Sequence, residues 1–217
     1  MTYSEENYLK VIYHLSIGNT KGITTNAIAN EMDSKPSSVT DMVKKLAEKD
    51  LVIYKKYQGV SLTDKGRQHA VMIVRKHRLW EVFLVEKLDF SWDEVHDVAE
   101  QLEHIKSEKL TDKLDEFLDF PTEDPHGDPI PDREGKIAKV EKQLLSETEL
   151  HQKVICVGVK DSSASFLQYL DKQQIALGSS IEIVSREHFD QSLTLKVNDR
   201  QLSVSYKIAA NLFVKTV

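Results

Sequence analysis

The chain has 217 residues, 40% of them apolar, a formal net charge of -6 and a single cysteine. That length supports one large domain or about two to three small ones, and Cys156 alone excludes an intrachain disulfide and a thiolate-rich metal cage. No apolar run approaches the roughly 20 residues that cross a bilayer, and Met1 to Glu6 carry no leader pattern, so a cytoplasmic protein is expected.

The overall charge conceals an asymmetry. Residues 21–78 hold 12 basic against 6 acidic side chains, roughly +6, whereas residues 79–150 hold 8 against 21, roughly -13. A basic block suits contact with phosphates and an acidic block suits held cations.

In chain order, residues 4–16 set Tyr8, Val11, Ile12 and Leu15 at helical spacing behind a Ser4 cap. Thr25–Met32 reads as a second helix, and Asp33–Pro36 as a turn into a third, Ser37–Leu46. The third helix buries Val39, Met42, Val43 and Leu46 and turns Ser37, Ser38, Thr40, Asp41 and Lys44 outward, with Lys35 and Pro36 at its entry. This is a helix-turn-helix pattern, and those seven outward and entry residues are its candidate DNA contacts. Leu51–Thr63 reads as two short strands around a basic turn, a wing that would set Lys55, Lys56 and Tyr57 against the sugar-phosphate backbone.

Asp64–Leu88 reads as a long helix, Trp92–Glu108 as another and Lys109–Leu118 as a short third. Trp80, Phe83, Leu84, Phe90, Trp92, Leu102 and Ile105 are a surplus of apolar side chains for so few helices, which suits a dimer interface or the core of one subunit. Residues 120–131 hold four of the five prolines and cannot be helix or central strand. Asp132–Thr148 reads as a linker or exposed helix. Lys153–Val159, Ser180–Val184, Leu193–Val197, Leu202–Tyr206 and Leu212–Val214 read as strands, with a helix over Ser163–Leu170, which suggests a small, partly open β-barrel. The expected fold class is α+β: a winged helix-turn-helix over 1–71, a helical domain over 72–140, a linker over 141–150 and a small β-barrel over 151–217.

His77 and Glu81 lie four residues apart on the long helix, and His96, Glu100, Glu103 and His104 share a face of the next one. Asp124 and His126 follow in the proline-rich loop. Carboxylates held that close repel one another unless a cation stands between them, so a divalent metal is the hypothesis. Plain surface ion pairs explain any one such pair, but less readily three groupings together. Oxygen and imidazole donors without sulfur suit Mn²⁺ or Fe²⁺, manganese first, while Zn²⁺ and Co²⁺ would bind without being singled out. No enzyme is expected: the chain has no HExxH, no phosphate-cradling glycine loop, and Cys156 lies in an apolar strand pattern.

Helix-turn-helix, basic wing, His77-Arg-Leu-x-Glu81, His96-Asp-x-x-Glu100-x-x-Glu103-His104, Phe120-Pro-x-x-Asp-Pro-His-Gly127 and a strand-rich end follow one another in an order that resembles the diphtheria toxin repressor family. The likeness is to its manganese-sensing transport regulators of the three-domain type and covers nearly the whole chain, the last module being similar to an SH3-like (FeoA-like) domain. The resemblance implies one metal set of Glu100, Glu103 and His104, with Glu100 standing where iron-responsive relatives have Cys. It implies a second set of His77, Glu81, Asp124 and His126, completed by Asp161 from the last module; His77 could serve either set, and His96 is a further candidate. Asn7 stands where relatives have Met or Asp, and Lys10 where one subgroup has Glu, so that subgroup's two-manganese cluster is not expected. The resemblance further implies a metal-activated homodimeric repressor of metal-uptake genes on a palindromic DNA operator. Its metal would be Mn²⁺ or Fe²⁺, with Zn²⁺, Co²⁺ or Cd²⁺ substituting in vitro, and neither membrane nor small organic ligand is implied. The alternative is a winged-helix regulator that answers a different ligand, its acidic cluster being structural.

Overall fold

A computed structural model describes residues 1–19, 21–55 and 58–217. Lys56 and Tyr57, two of the expected wing contacts, lie outside the described residues. The chain divides into two compact units: Met1–Trp80 with Ala99–Phe117 and Ile130–Ile137, and Glu81–Val98 with Leu118–Pro129 and Ala138–Val217.

The first unit opens on α1 (Tyr3–Ser16), whose cap is Thr2 rather than the expected Ser4. The Thr2 hydroxyl accepts from Glu5 N–H while the Glu5 carboxylate accepts from Thr2 N–H, a reciprocal pair that satisfies two orphan donors of the helix end. Next come α2 (Thr25–Glu31), capped by Thr24, and α3 (Pro36–Glu48), which begins on Pro36, where the missing N–H costs nothing. Val39, Val43 and Leu46 lie at helical spacing, are fully buried, and join Leu9, Ile12, Ile28, Val60 and Val71 in one apolar core. The opposite face leaves Ser37, Ser38, Asp41 and Lys44 exposed, with Lys35 and Pro36 exposed at its head. Thr40 is only half-buried, and its hydroxyl donates back to the Pro36 carbonyl at 2.9 Å. Met42, expected inside, is partly buried at the core's margin.

Strands β1 (Val52–Lys55) and β2 (Gly59–Leu62) pair antiparallel, and Ile23 bridges to Val60, so the wing is fastened to the segment before α2. Gly59 has φ +91°, and a Cβ there would stand 2.7 Å from the Ile23 carbonyl oxygen, so both conformation and space demand glycine. Lys55 is exposed at the end of β1.

Helix α4 (Asp64–Leu88) matches its predicted limits and contributes to both units. In the first, its buried Arg75 donates to Asp115 on α6 (Glu108–Phe117) at 2.8 Å and to the Pro131 carbonyl at 3.0 Å. The helix predicted over 92–108 is shorter: α5 spans Val95–Leu102, after a turn in which Glu94 N–H bonds the Ser91 carbonyl. Past Leu102 the chain turns, with Ile105 N–H closing on the Leu102 carbonyl. Glu103 N–H still bonds the Ala99 carbonyl at 2.8 Å, which keeps Glu103 beside Glu100.

The second unit contains β3 (Gln143–Leu144), a 3-10 turn at Leu145–Glu147, β4 (Lys153–Val159), α7 (Ala164–Lys172), β5 (Ser180–Arg186), β6 (Leu193–Val197), β7 (Arg200–Val204), α8 (Tyr206–Ala209) and β8 (Leu212–Thr216). The strands form one antiparallel sheet in the order β3-β8-β4-β5-β6-β7. Register shifts at Cys156/Gly158 and Ile183/Ser185 mark the bulges where such a sheet bends. Val154, Cys156, Ile181, Ile183, Leu193 and Leu195 alternate inward and pack with Phe166, Leu167 and Leu170 of α7. Burial pushes the Cys156 thiol up to about 11, consistent with an inert structural role. Two expectations need correction here. Residues 132–142 are irregular, as the linker alternative has it, but Gln143–Leu144 add a strand to β8, and Tyr206 opens a short helix capped by Ser205 rather than closing a strand.

Leu46 has no exposed surface and anchors α3. Leu46→Ala is expected to cost about 2–5 kcal/mol of stability, read as a lower urea midpoint.

Candidate metal centre

Each unit gathers its own group of carboxylates and imidazoles. In the second unit Glu81, Asp124 and His126 are only 2, 6 and 5% exposed. One donor atom from each lies within 4.8 Å of the others, a spacing that a single divalent ion can bridge. Glu81 comes from α4, and the other two come from the proline-rich loop.

That loop is held in shape by its own side chains. Asp124 Oδ1 accepts from His126 N–H at 2.8 Å and Asp128 N–H at 3.0 Å, an Asx turn that folds the loop over its carboxylate. Gly127 follows at φ +79°, where a Cβ would lie 2.0 Å from the Val157 carbonyl oxygen. Only glycine lets the loop lie so close to β4, and there Val159 N–H donates to the His126 carbonyl at 2.9 Å. Lys142 adds a hydrogen bond to the Gly127 carbonyl at 3.2 Å.

The His126 ring is oriented as well. Its Nε2 lies 2.8 Å from the Trp92 carbonyl, an acceptor only, so that nitrogen carries the proton. The lone pair is thereby assigned to Nδ1, which faces Glu81 Oε2 at 3.8 Å. Trp92 stacks on the ring with centroids 6.3 Å apart, and its indole N–H is 3.1 Å from both carboxylate oxygens of Asp171 on α7. A ligating imidazole whose other nitrogen is pinned by a carbonyl is the usual outer arrangement of a metal site. The donor set therefore fits a divalent cation.

Burial alone would push the His126 pKa down, but hydrogen bonding and charge from Glu81, then the charge of Asp124, outweigh it and leave the pKa raised. His96 is exposed and sits 3.5 Å from Glu81 Oε1 at the edge of the group. Asp161 is outside it, its Oδ1 accepting from Ser163 N–H at 2.9 Å.

The first unit's group is built differently. Glu103 is fully buried; its Oε2 is 2.6 Å from His77 Nδ1 and 2.8 Å from Lys10 Nζ, which is also 2.8 Å from Oε1 as an ion pair without hydrogen-bond geometry. Lys10, itself buried, also bonds Glu100. His104 Nδ1 meets Glu6 at 2.6 Å and the ring stacks on Tyr3. Burial tends to raise the Glu103 pKa, but hydrogen bonding from His77 and the charge of Lys10 prevail and lower it. Asn7 Oδ1 is buried with no hydrogen-bond partner among the described residues. Here the carboxylates already hold a cation, so this donor set does not fit a metal as it stands.

The two groups thus divide the sequence candidates. Glu81, Asp124, His126 and His96 come together in one, and His77, Glu100, Glu103, His104 and Asn7 belong to the unit that holds the other. Sequence reading missed the Trp92 carbonyl, Asp171 and Val159, because backbone acceptors and contacts distant in sequence leave no local pattern.

Comparison with known proteins settles the family. Residues 1–60 match the model of the iron dependent repressor N-terminal DNA binding domain, residues 63–132 its metal binding and dimerisation domain, and residues 143–216 the FeoA domain. An uncharacterized HTH-type transcriptional regulator of Methanocaldococcus jannaschii is 37% identical over 119 residues, 55% of this chain and 95% of that protein. The chain belongs to the iron-dependent repressor family. This is the diphtheria toxin repressor family of metal-dependent transcriptional regulators, and the α+β architecture of DNA-binding, helical dimerisation and SH3-like FeoA domains is that of the family. A manganese-dependent transcriptional repressor solved in complex with manganese superposes with a TM-score of 0.88 at 31% identity, covering 98% of this chain and 100% of that one. ScaR, solved with Zn²⁺ and with Cd²⁺, is 34% identical, with TM-scores of 0.78 and 0.80 and coverage of 98% and 99% of the two chains. Other relatives are spanned only in part: 54% of the iron-dependent repressor IdeR of Mycobacterium bovis, 36% identical over 58% of this chain, and 20% of a probable metal transport system membrane protein of Chlamydia trachomatis, 46% identical over 42% of this chain. No helix among the described residues is long and apolar enough to cross a membrane.

The raised His126 pKa has a signed consequence. Its protonated form is favoured by folding, so the metal-free chain gains stability that is full below the ordinary imidazole pKa and lost as pH rises through the raised one. His126→Gln is expected to lower the metal-free urea midpoint at pH 6 and to have less effect once pH passes the folded pKa; an effect that grows with pH would contradict the assignment.

Proposed function

We propose that the chain is a homodimeric, Mn²⁺-activated repressor of metal-uptake genes acting in the cytoplasm, with Fe²⁺ as the alternative activator. The observation that carries this reading is the burial of Glu81 and Asp124 beside a tautomer-fixed His126. When bound, the metal supplies the positive charge these carboxylates require. Glu81, Asp124 and His126 Nδ1 would hold it, the oxygen-rich set favouring Mn²⁺ or Fe²⁺, with Zn²⁺, Co²⁺ and Cd²⁺ as substitutes in vitro. Asp161 is assigned as a further ligand because it follows β4 by two residues, just beyond the N–H that holds the His126 carbonyl.

The DNA reader proposed is α3, with Lys35, Pro36, Ser37, Ser38, Thr40, Asp41 and Lys44 toward the major groove and Lys55, Lys56 and Tyr57 on the flanking backbone. Exposed Leu110 and Phe117 on α6 support a dimer surface within the helical domain. The domain limits proposed are 1–71, 72–140, a linker over 141–150, and 151–217. Metal would select the spacing of two recognition helices that a palindrome accepts, a population shift toward the DNA-competent dimer.

Two measurements test this. Glu81→Ala with His126→Ala should remove the difference in operator affinity between Mn²⁺ and chelator while sedimentation still shows a dimer; a retained Mn²⁺ response would refute the site. Lys55→Ala with Lys56→Ala should weaken binding to operator and random duplex alike, and should lower the slope of log affinity against log salt by about 1 to 2. A loss confined to the operator would contradict the phosphate role.

A further inference from the structure

We infer that Lys10 is the resident cation of the Glu100–Glu103 cluster, holding α1 in place without metal, so that the chain carries one regulatory metal site per subunit. The inference rests on the metal reading of Glu81, Asp124 and His126, and concerns the other cluster.

A buried ammonium must be paired, and Lys10 is only 7% exposed. Its two partners are Glu100 and Glu103, carboxylates that a metal in this cluster would need. A divalent ion taking them would leave Lys10 buried and unpaired, and would also set its own charge beside the ammonium. Occupation by the amine and by the metal therefore exclude one another. Each neighbouring imidazole also gives one nitrogen to a carboxylate: His77 Nδ1 meets Glu103 at 2.6 Å, and His104 Nδ1 meets Glu6 at 2.6 Å. Glu6, Lys10 and the capping Glu5, which pairs with Lys49 of the segment after α3 at 2.6 Å, all lie on α1. Three side chains of the helix thus tie it to the rest of the first unit without an added ion. Asn7 stands one turn before Lys10, where residues three apart share a face. Its buried, unpartnered Oδ1 is a neutral donor able to join Glu100 and Glu103 once the amine is removed.

The test is Mn²⁺ stoichiometry by equilibrium dialysis on the full-length chain, with hydrogen exchange of α1 as a second readout. Wild type should bind one Mn²⁺ per chain, and Glu103→Gln should leave that number unchanged. Lys10→Met, which keeps the apolar stem, should bind one more than wild type, and Glu103→Gln in that background should remove it again. Lys10→Arg, which keeps the charge, should not gain the extra ion. Protection of α1 amides should be the same with Mn²⁺ and with chelator in wild type, and should become Mn²⁺-dependent in Lys10→Met. A wild-type Mn²⁺ that Glu103→Gln abolishes would overturn the inference, as would a folded Lys10→Met chain with no added Mn²⁺. If Lys10→Met does not fold, metal-dependent α1 protection in wild type would overturn it and metal-independent protection would uphold it. Wild type binding no Mn²⁺ while Lys10→Met binds one would sustain the role of Lys10 and refute the metal reading of Glu81, Asp124 and His126.

Discussion

Two carboxylates taken out of water within a few ångströms of each other need positive charge between them, and both ion groups of this chain are answers to that demand. At an effective dielectric near 20, unit charges about 4.8 Å apart repel by about 3 kcal/mol. That is a large share of the roughly 5–15 kcal/mol that keeps a typical domain folded. Glu81 and Asp124 meet the demand beside His126, whose pKa their hydrogen bonding and charge raise against the opposing effect of burial. On the proposed reading, proton and metal would be alternative occupants of Nδ1, and that competition would make the group a sensor rather than a fixed brace.

The Glu100–Glu103 group meets the same demand with a tethered amine. Lys10 travels with the polypeptide, so its charge is present whatever the metal supply. On the proposed reading one group reports metal, and the other ties α1 down regardless. The surroundings of His126 fit the proposed reporting role: the Trp92 carbonyl fixes its tautomer, Val159 N–H fixes its backbone, and Gly127 admits the close approach to β4. The FeoA module, which begins at residue 143, thereby helps set the geometry of His126, which precedes it in sequence.

Much of the architecture was legible in the sequence because local rules carried it. Pro36 and the 39-43-46 spacing located the recognition helix, proline density located the loop, and the limits of α4 follow from an unbroken apolar periodicity. What escaped was set by distant partners. The helix expected over 92–108 stops at Leu102, and of four residues read as one patch His96 meets Glu81 while Glu100 and Glu103 meet Lys10. The His77 ring also meets Glu103, a carboxylate 26 residues further on, which helical spacing does not announce. Lys10 was legible as a residue that cannot ligate metal while charged, but its pairing with Glu100 and Glu103, some 90 residues away, left no local signal.

The account turns on metal at Glu81, Asp124 and His126 being coupled to DNA. Linkage makes that coupling reciprocal: if Mn²⁺ raises operator affinity by some factor, operator must raise Mn²⁺ affinity by the same factor. The decisive measurement is Mn²⁺ affinity of the dimer by calorimetry, free and saturated with a palindromic operator duplex. The account predicts tighter Mn²⁺ binding in the complex, by the factor that Mn²⁺ gives DNA, and equal Mn²⁺ affinity in the two states would contradict it.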